Sequence, residues 1–138
     1  MIQVYIAASF PRKDEAIKLA RDILEISDIR GGFPFDCASR WLSIEQAGYG
    51  QGKVDTRFAK IDMADVSRCD IFVELSGDDK SHGGRSTELG MAIAWGKKVF
   101  VYGPYEQVFH GLPCVTLCSD WRSLQATLLD AANMLRGS

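Results

Sequence analysis

Short unbroken apolar runs alternate along the chain with longer segments whose apolar residues recur every three or four positions. Ile2 to Ala8, Ile71 to Leu75, Lys98 to Tyr102 and Val115 to Cys118 have the length and β-branched or aromatic content of buried strands. Between them, Lys13 to Ile26 places Ala16, Ile17, Leu19, Ala20, Ile23 and Leu24 on one helical face. Val54 to Cys69, Thr87 to Trp95 and Leu124 to Leu135 read as further helices. Asp36 to Trp41 is a weaker second strand, with a turn at Gly31, Gly32 and Pro34 before it and a loop at Gly48, Gly50 and Gly52 after it.

Strands that alternate with helices need crossover connections and therefore a parallel sheet covered on both faces. The expected fold class is α/β: a single-domain, doubly wound five-stranded parallel sheet, with the flavodoxin-like order 2-1-3-4-5 as the most economical arrangement. The 138 residues suit one domain, spanning 1–138, and no repeat or internal boundary interrupts them.

A hydrophobic content of 46%, a charged content of 25% and a net charge of -2 argue against disorder and against a broad polyanion-binding surface. Polymeric nucleic acid is therefore not an expected partner. The first ten residues lack a basic start and a long apolar run, and no stretch approaches the ~20 apolar residues of a membrane span. The expectation is a soluble, cytoplasmic protein that engages no membrane. Cys37, Cys69, Cys114 and Cys118 show no paired short spacing and no interleaved histidine, so they read as small buried hydrophobes. Cys114 and Cys118 sit four apart and could share a strand face, but no further ligands accompany them; neither metal nor cofactor is expected.

Candidate chemistry concentrates between residues 62 and 90. Asp62 stands near the end of one helix, and Glu88 follows the glycine-containing segment His82-Gly83-Gly84-Arg85. Two carboxylates brought together over the carboxyl edge of a parallel sheet suggest glycosidic-bond chemistry. Glu88, placed in the first turn of the helix expected from Thr87, is favoured in its ionised form by the helix dipole, as suits a nucleophile; the same placement serves simple helix stabilisation. Asp62 lies among Ile61, Met63 and Val66, while Arg57, Lys60, Asp65 and Arg68 occupy the other face of that helix; it reads equally as a solvated helix residue. Tyr5, within the first strand, needs a partner for its hydroxyl, and Glu88 is a candidate. After that strand, Ala7, Ala8, Ser9, Phe10 and Arg12 precede a helix N-terminus, a setting for an anion held by Ser9 and Arg12 or simply a tight turn.

These residues carry a resemblance. Val4-Tyr5-Ile6-Ala-Ala-Ser9, Asp62 with Asp70-Ile-Phe-Val, and Gly83-Gly-Arg-Ser-Thr-Glu88-Leu-Gly-Met-Ala resemble the nucleoside 2-deoxyribosyltransferase family, whose superfamily includes 2'-deoxynucleoside 5'-monophosphate N-glycosidases. The similarity is strongest over residues 58 to 104 and weakest over 25 to 55. It implies a retaining double displacement at the anomeric carbon, with Glu88 as nucleophile, Asp62 exchanging a proton with the base, and Tyr5 orienting Glu88. It also implies that Gly83 and Gly84 let the backbone approach the sugar and that Trp41 or Phe10 stacks on the base. The implied partners are a nucleoside or nucleotide and a free nucleobase.

Three departures bear on the substrate. Six residues before Glu88, where the transferases carry a carboxylate and the monophosphate hydrolases a serine, this chain has His82. Ser9 and Arg12 resemble the phosphate-holding pair of the hydrolases, with Arg12 displaced by one position; with His82 and Arg85 they would make a cationic pocket, unless Arg85 pairs with Asp78 or Asp79. The ending Asn133 to Ser138 lacks the carboxylate that transferases send into a neighbour's site. The stretch Tyr105 to Pro113 corresponds to a loop that reaches an adjacent subunit in relatives, which implies a homodimer or higher oligomer with Gln107 or His110 near the neighbour's pocket. Transfer to a base, hydrolysis of a monophosphate, cleavage of NAD and non-catalytic nucleotide binding stay open as readings.

Overall fold

The computed structural model describes residues 1–43, 56–77 and 84–137. Five parallel strands form its centre: β1 (Ile2–Ala7), β2 (Phe35–Cys37), β3 (Ile71–Leu75), β4 (Lys98–Tyr102) and β5 (Val115–Cys118), in the spatial order 2-1-3-4-5. Four helices connect or close them: α1 (Lys13–Leu24), α2 (Thr56–Arg68), α3 (Gly84–Ala94) and α4 (Trp121–Gly137). β3 lies in the middle, and all five of its residues are buried. The expected fold class and strand order are those observed.

Right-handed crossovers decide which helices share a face. The step from β1 leftward to β2 puts α1 on one side, and the steps from β2 to β3 and from β3 to β4 put α2 and α3 on the other. α2 packs on α3, and both reach β1. α1 and α4 flank a shallow groove lined by Asp22, Glu25, Ile26, Trp121 and Gln125, away from the face that α2 and α3 cover.

Local chemistry explains the helix limits. α1 carries Asp14 and Glu15 in its first turn and Arg21 in its last, complementing the dipole at both ends. Asp120 caps α4 by accepting the Ser123 N–H at 2.8 Å. α3 stops where Gly96 takes a φ of 71°, with the Gly96 N–H donating to the Ile93 carbonyl and Lys97 N–H to Ala92, the two bonds of a Schellman ending. Gly103, at φ 132°, lets the chain leave β4 against Ser76; a Cβ there would fall 2.5 Å from Ser76 Oγ and 3.0 Å from its carbonyl.

Several expectations need correction. The expected strand Asp36 to Trp41 ends at Cys37, and Arg40–Leu42 form a 3-10 turn because Asp65 and Ile6 draw their polar groups out of strand geometry. Asp65, grouped with Arg57, Lys60 and Arg68 on the face of α2 opposite Asp62, is fully buried: its carboxylate accepts from Arg40 N and Nε at 2.9 Å each and from Arg68 Nη2 at 2.7 Å. Leu24 is exposed at the end of α1. Cys114 is exposed just before β5 and Cys37 is half-buried, whereas Cys69 and Cys118 are buried. Burial pushes the Cys69 thiol up to about 11. The loop at Gly48 to Gly52 lies outside the described residues.

Candidate active site

Strand register builds the site. Tyr5 pairs with Phe72 and Ala7 with Glu74 across β1 and β3, so these four side chains share the sheet face that α2 and α3 cover. Tyr5 is fully buried, its ring stacked on Phe72 with centroids 5.6 Å apart and planes 9° from parallel. Its hydroxyl donates to Glu88 Oε2 at 2.7 Å, which supplies the partner that burial demands.

Glu88 is the fifth residue of α3, because the helix begins at Gly84 and not at Thr87. It therefore lies beyond the first turn, where the dipole acts most strongly, and the expected preference for the charged form is reversed. Burial holds its carboxyl well above the usual carboxylate range; the adjacent Asp62 charge and a hydrogen bond with Asp62 push it up further, Tyr5 pulls it down, and Glu74 adds a last upward push. A bond between two carboxyls needs a proton on one of them. Asp62 and Glu88 are thus brought together by two packed helices.

The other sequence-selected residues surround this pair unevenly. Ala8 and Ser9 follow β1, Ser9 buried and its carbonyl accepting the Arg12 N–H at 2.9 Å. Phe10 is half-buried with Lys13 Nζ 5.8 Å from its ring centroid. Arg12 pairs with Glu15 through Nε and donates from Nη1 to the Ser76 carbonyl at 2.7 Å, which places its guanidinium at the carboxyl edge of β3. Trp41 is buried, its indole N–H donating to the Ile6 carbonyl at 2.8 Å. Gly84 opens α3 in an exposed position, and His82 and Gly83 lie outside the described residues, as do Asp78 and Asp79.

Arg85 is buried and pairs with Glu106 at 2.6 Å while donating to the Leu75 carbonyl at 2.8 Å. This partner belongs to the segment after β4; the expected pairing of Arg85 with Asp78 or Asp79 lies outside the described residues. That segment also contains His110, expected beside a neighbouring subunit but buried within its own chain, with Nε2 2.5 Å from Glu74 Oε1. Its Nδ1 accepts the Glu106 N–H at 3.2 Å, so the ring proton sits on Nε2 and faces Glu74. Gln107 bonds Ser86 on α3 at 3.2 Å.

Among the described residues, Glu74, Glu106 and His110 bring their donor atoms within 4.8 Å of one another, close enough to share a metal ion. Those atoms are already engaged. Glu106 serves Arg85 and the Gly77 N–H, and His110 faces Glu74, so the resident cation is a guanidinium. Sequence reasoning assigned Glu74 no role, although a lone glutamate inside Ile-Phe-Val-Glu-Leu, a run otherwise apolar, was the available signal.

A model of the family described as nucleoside 2-deoxyribosyltransferase matches residues 4–135. The chain belongs to the nucleoside 2-deoxyribosyltransferase family. A CMP N-glycosidase from Clostridium botulinum is similar in structure, with a TM-score of 0.57 and 19% identity over 91% of this chain and 97% of that one. A 2-deoxyribosyltransferase from Bacillus psychrosaccharolyticus gives a TM-score of 0.63 and 21% identity over 91% and 95%. No curated protein matches the chain in sequence. Both structural likenesses concern the fold; the family's chemistry is enzymatic glycosyl transfer or N-glycoside cleavage on small nucleosides or nucleotides. No helix among the described residues is long and apolar enough to cross a membrane.

Proposed function

We propose that the protein cleaves the N-glycosidic bond of a 2'-deoxynucleoside, or of its 5'-monophosphate, and passes the deoxyribosyl group to another nucleobase or to water. The observation that carries this reading is the 2.7 Å bond from the Tyr5 hydroxyl to Glu88 on α3, beside Asp62 of the packed helix α2. A half-buried carboxyl held toward its neutral form is a poor helix stabiliser, so mere support of α3 does not account for it.

In this mechanism substrate enters between the two carboxyls and separates them. The acidic proton of the pair then resides on Asp62, which delivers it to the departing base, and the Glu88 carboxylate attacks the anomeric carbon. The C–N bond breaks as the C–O bond of a glycosyl ester forms, and Tyr5 holds Glu88 in line. A second base or a water, deprotonated by Asp62, attacks from the vacated side and restores the original anomeric configuration. Phe10 is the more accessible of the two aromatic rings considered for base stacking. Ser9, just after β1, and Arg12, at the carboxyl edge of β3, would hold a 5'-phosphate.

Chromatography of products from each deoxynucleoside and each 5'-monophosphate, with and without a second free base, tests the proposal. New nucleoside or nucleotide formed only with the second base marks a transferase; free base with deoxyribose or its phosphate marks a hydrolase. Absence of any product overturns the reading in favour of a binding module, and nicotinamide released from NAD would redirect it to dinucleotide cleavage.

A further inference from the structure

The first turn of α3 is held from outside the helix. Its second residue, Arg85, is buried, and a guanidinium in such a place needs a counter-charge. Glu106, in the segment after β4, supplies one: Oε1 meets Arg85 Nη1 at 2.6 Å, while Oε2 accepts the Gly77 N–H at 3.0 Å. The next residue, Gln107, donates from its side chain to Ser86 Oγ at 3.2 Å. Two consecutive residues of one segment thus hold two consecutive residues of α3.

This anchor is itself fixed. Ser76 Oγ donates to the Pro104 carbonyl at 2.8 Å, the Glu106 N–H donates to His110 Nδ1 at 3.2 Å, and His110 Nε2 meets the buried Glu74 Oε1 of the central strand at 2.5 Å. The Glu106 carboxylate is therefore placed by β3 and by its own segment, and Arg85 comes to it. Arg85 Nη1 also donates to the Leu75 carbonyl at 2.8 Å, which commits the guanidinium to the end of β3.

Glu88 is the one acid that α3 carries, and it stands three positions after Arg85. At that spacing two side chains lie one turn apart on the same side of a helix, where a guanidinium pairs with a carboxylate. The Glu88 carboxyl instead accepts from the Tyr5 hydroxyl at 2.7 Å. We propose that Glu106 is a positioning residue for the reaction: by holding Arg85 it keeps that guanidinium from pairing with Glu88 and leaves the nucleophile to Tyr5 and Asp62. The proposal rests on Glu88 being the nucleophile.

The test is steady-state kinetics of Glu106→Gln and of Glu106→Gln with Arg85→Met, on a substrate that the parent protein turns over. Glutamine has one acceptor oxygen where glutamate has two, and no charge, so it cannot serve Gly77 and Arg85 together. Capture of Glu88 by the released Arg85 turns the nucleophile out of line, so kcat should fall roughly 10- to 100-fold. KM should hold within about two-fold, because binding of the ground state is spared. The double variant should be faster than Glu106→Gln alone, since the cation that captures Glu88 is gone. An unchanged kcat, a loss confined to KM, or a double variant no faster than the single one overturns the proposal. Should Glu106→Gln not fold, Glu106→Asp takes its place: it keeps the charge but draws it back by one methylene, and full kcat in that variant overturns the proposal. Glu88→Gln run alongside separates the two levels. Turnover surviving in Glu88→Gln removes the nucleophile and the proposal with it, whereas its loss beside an unaltered kcat in Glu106→Gln removes only the role of Glu106.

Discussion

The Tyr5 hydroxyl meets Glu88 at 2.7 Å across 83 positions of chain and joins β1 to α3 at the point where the two acid groups converge. Tyr5→Phe keeps the stack on Phe72 and deletes only this bond. A hydrogen bond to a charged group is worth about 1.5–3 kcal/mol, so kcat should fall roughly 10- to 100-fold. Because Tyr5 opposes the upward push on Glu88, the acid limb of the rate profile should also move to higher pH. Steady-state kinetics across pH checks both; an unchanged limb would show that the hydroxyl does not act on Glu88.

Glu88→Gln should abolish turnover and stabilise the fold at neutral pH. The sign follows from linkage: a carboxyl raised in the native state keeps its proton at pH values where the unfolded chain has lost it. Stability therefore falls as pH rises from the unfolded value through the raised native one. The glutamine variant lacks that loss, so its melting temperature should exceed that of the parent near pH 8 and approach it on acidification. Thermal melts at several pH values would expose the opposite order.

Asp62→Asn removes the proton donor and leaves the nucleophile. Loss of general acid catalysis should slow glycosyl transfer by about 10²–10⁴-fold for ordinary bases. Substrates whose base already carries a positive charge need no proton to depart, and should lose far less. Comparing the two substrate types distinguishes acid catalysis from a general disturbance, which would slow both alike.

Asp65→Ala tests the structural acid of α2. It removes the carboxylate that accepts from Arg40 N, from the Arg40 guanidinium and from Arg68, leaving the Arg40 backbone N–H without its partner. The cost should be about 1–3 kcal/mol, seen as a lower denaturation midpoint with little change in the denaturant slope. Activity per folded molecule should persist, since Asp65 holds the turn Arg40–Leu42 and touches neither Glu88 nor Tyr5.

The strand order and the central, wholly buried β3 were legible in the residue pattern, because parallel strands covered on both faces must be short apolar runs and must be joined by helices. The pairing of Tyr5 with Glu88 was legible too, since a tyrosine in a buried strand needs a partner for its hydroxyl. The burial of Asp65 was not legible because helical periodicity measures only apolar content: an aspartate buried against two arginines from different elements has the same letter as a solvated one.

Hydrophobic spacing by itself determined the elements and their layers, and two carboxylates with a tyrosine pointed to one site. Only the tertiary structure decided the charge on that site. It started α3 at Gly84, which carried Glu88 out of the first turn; it set Asp62 against Glu88; and it folded the segment after β4 back so that His110 met Glu74. Ionisation depends on desolvation and on neighbours brought from distant parts of the chain, quantities that no local pattern contains.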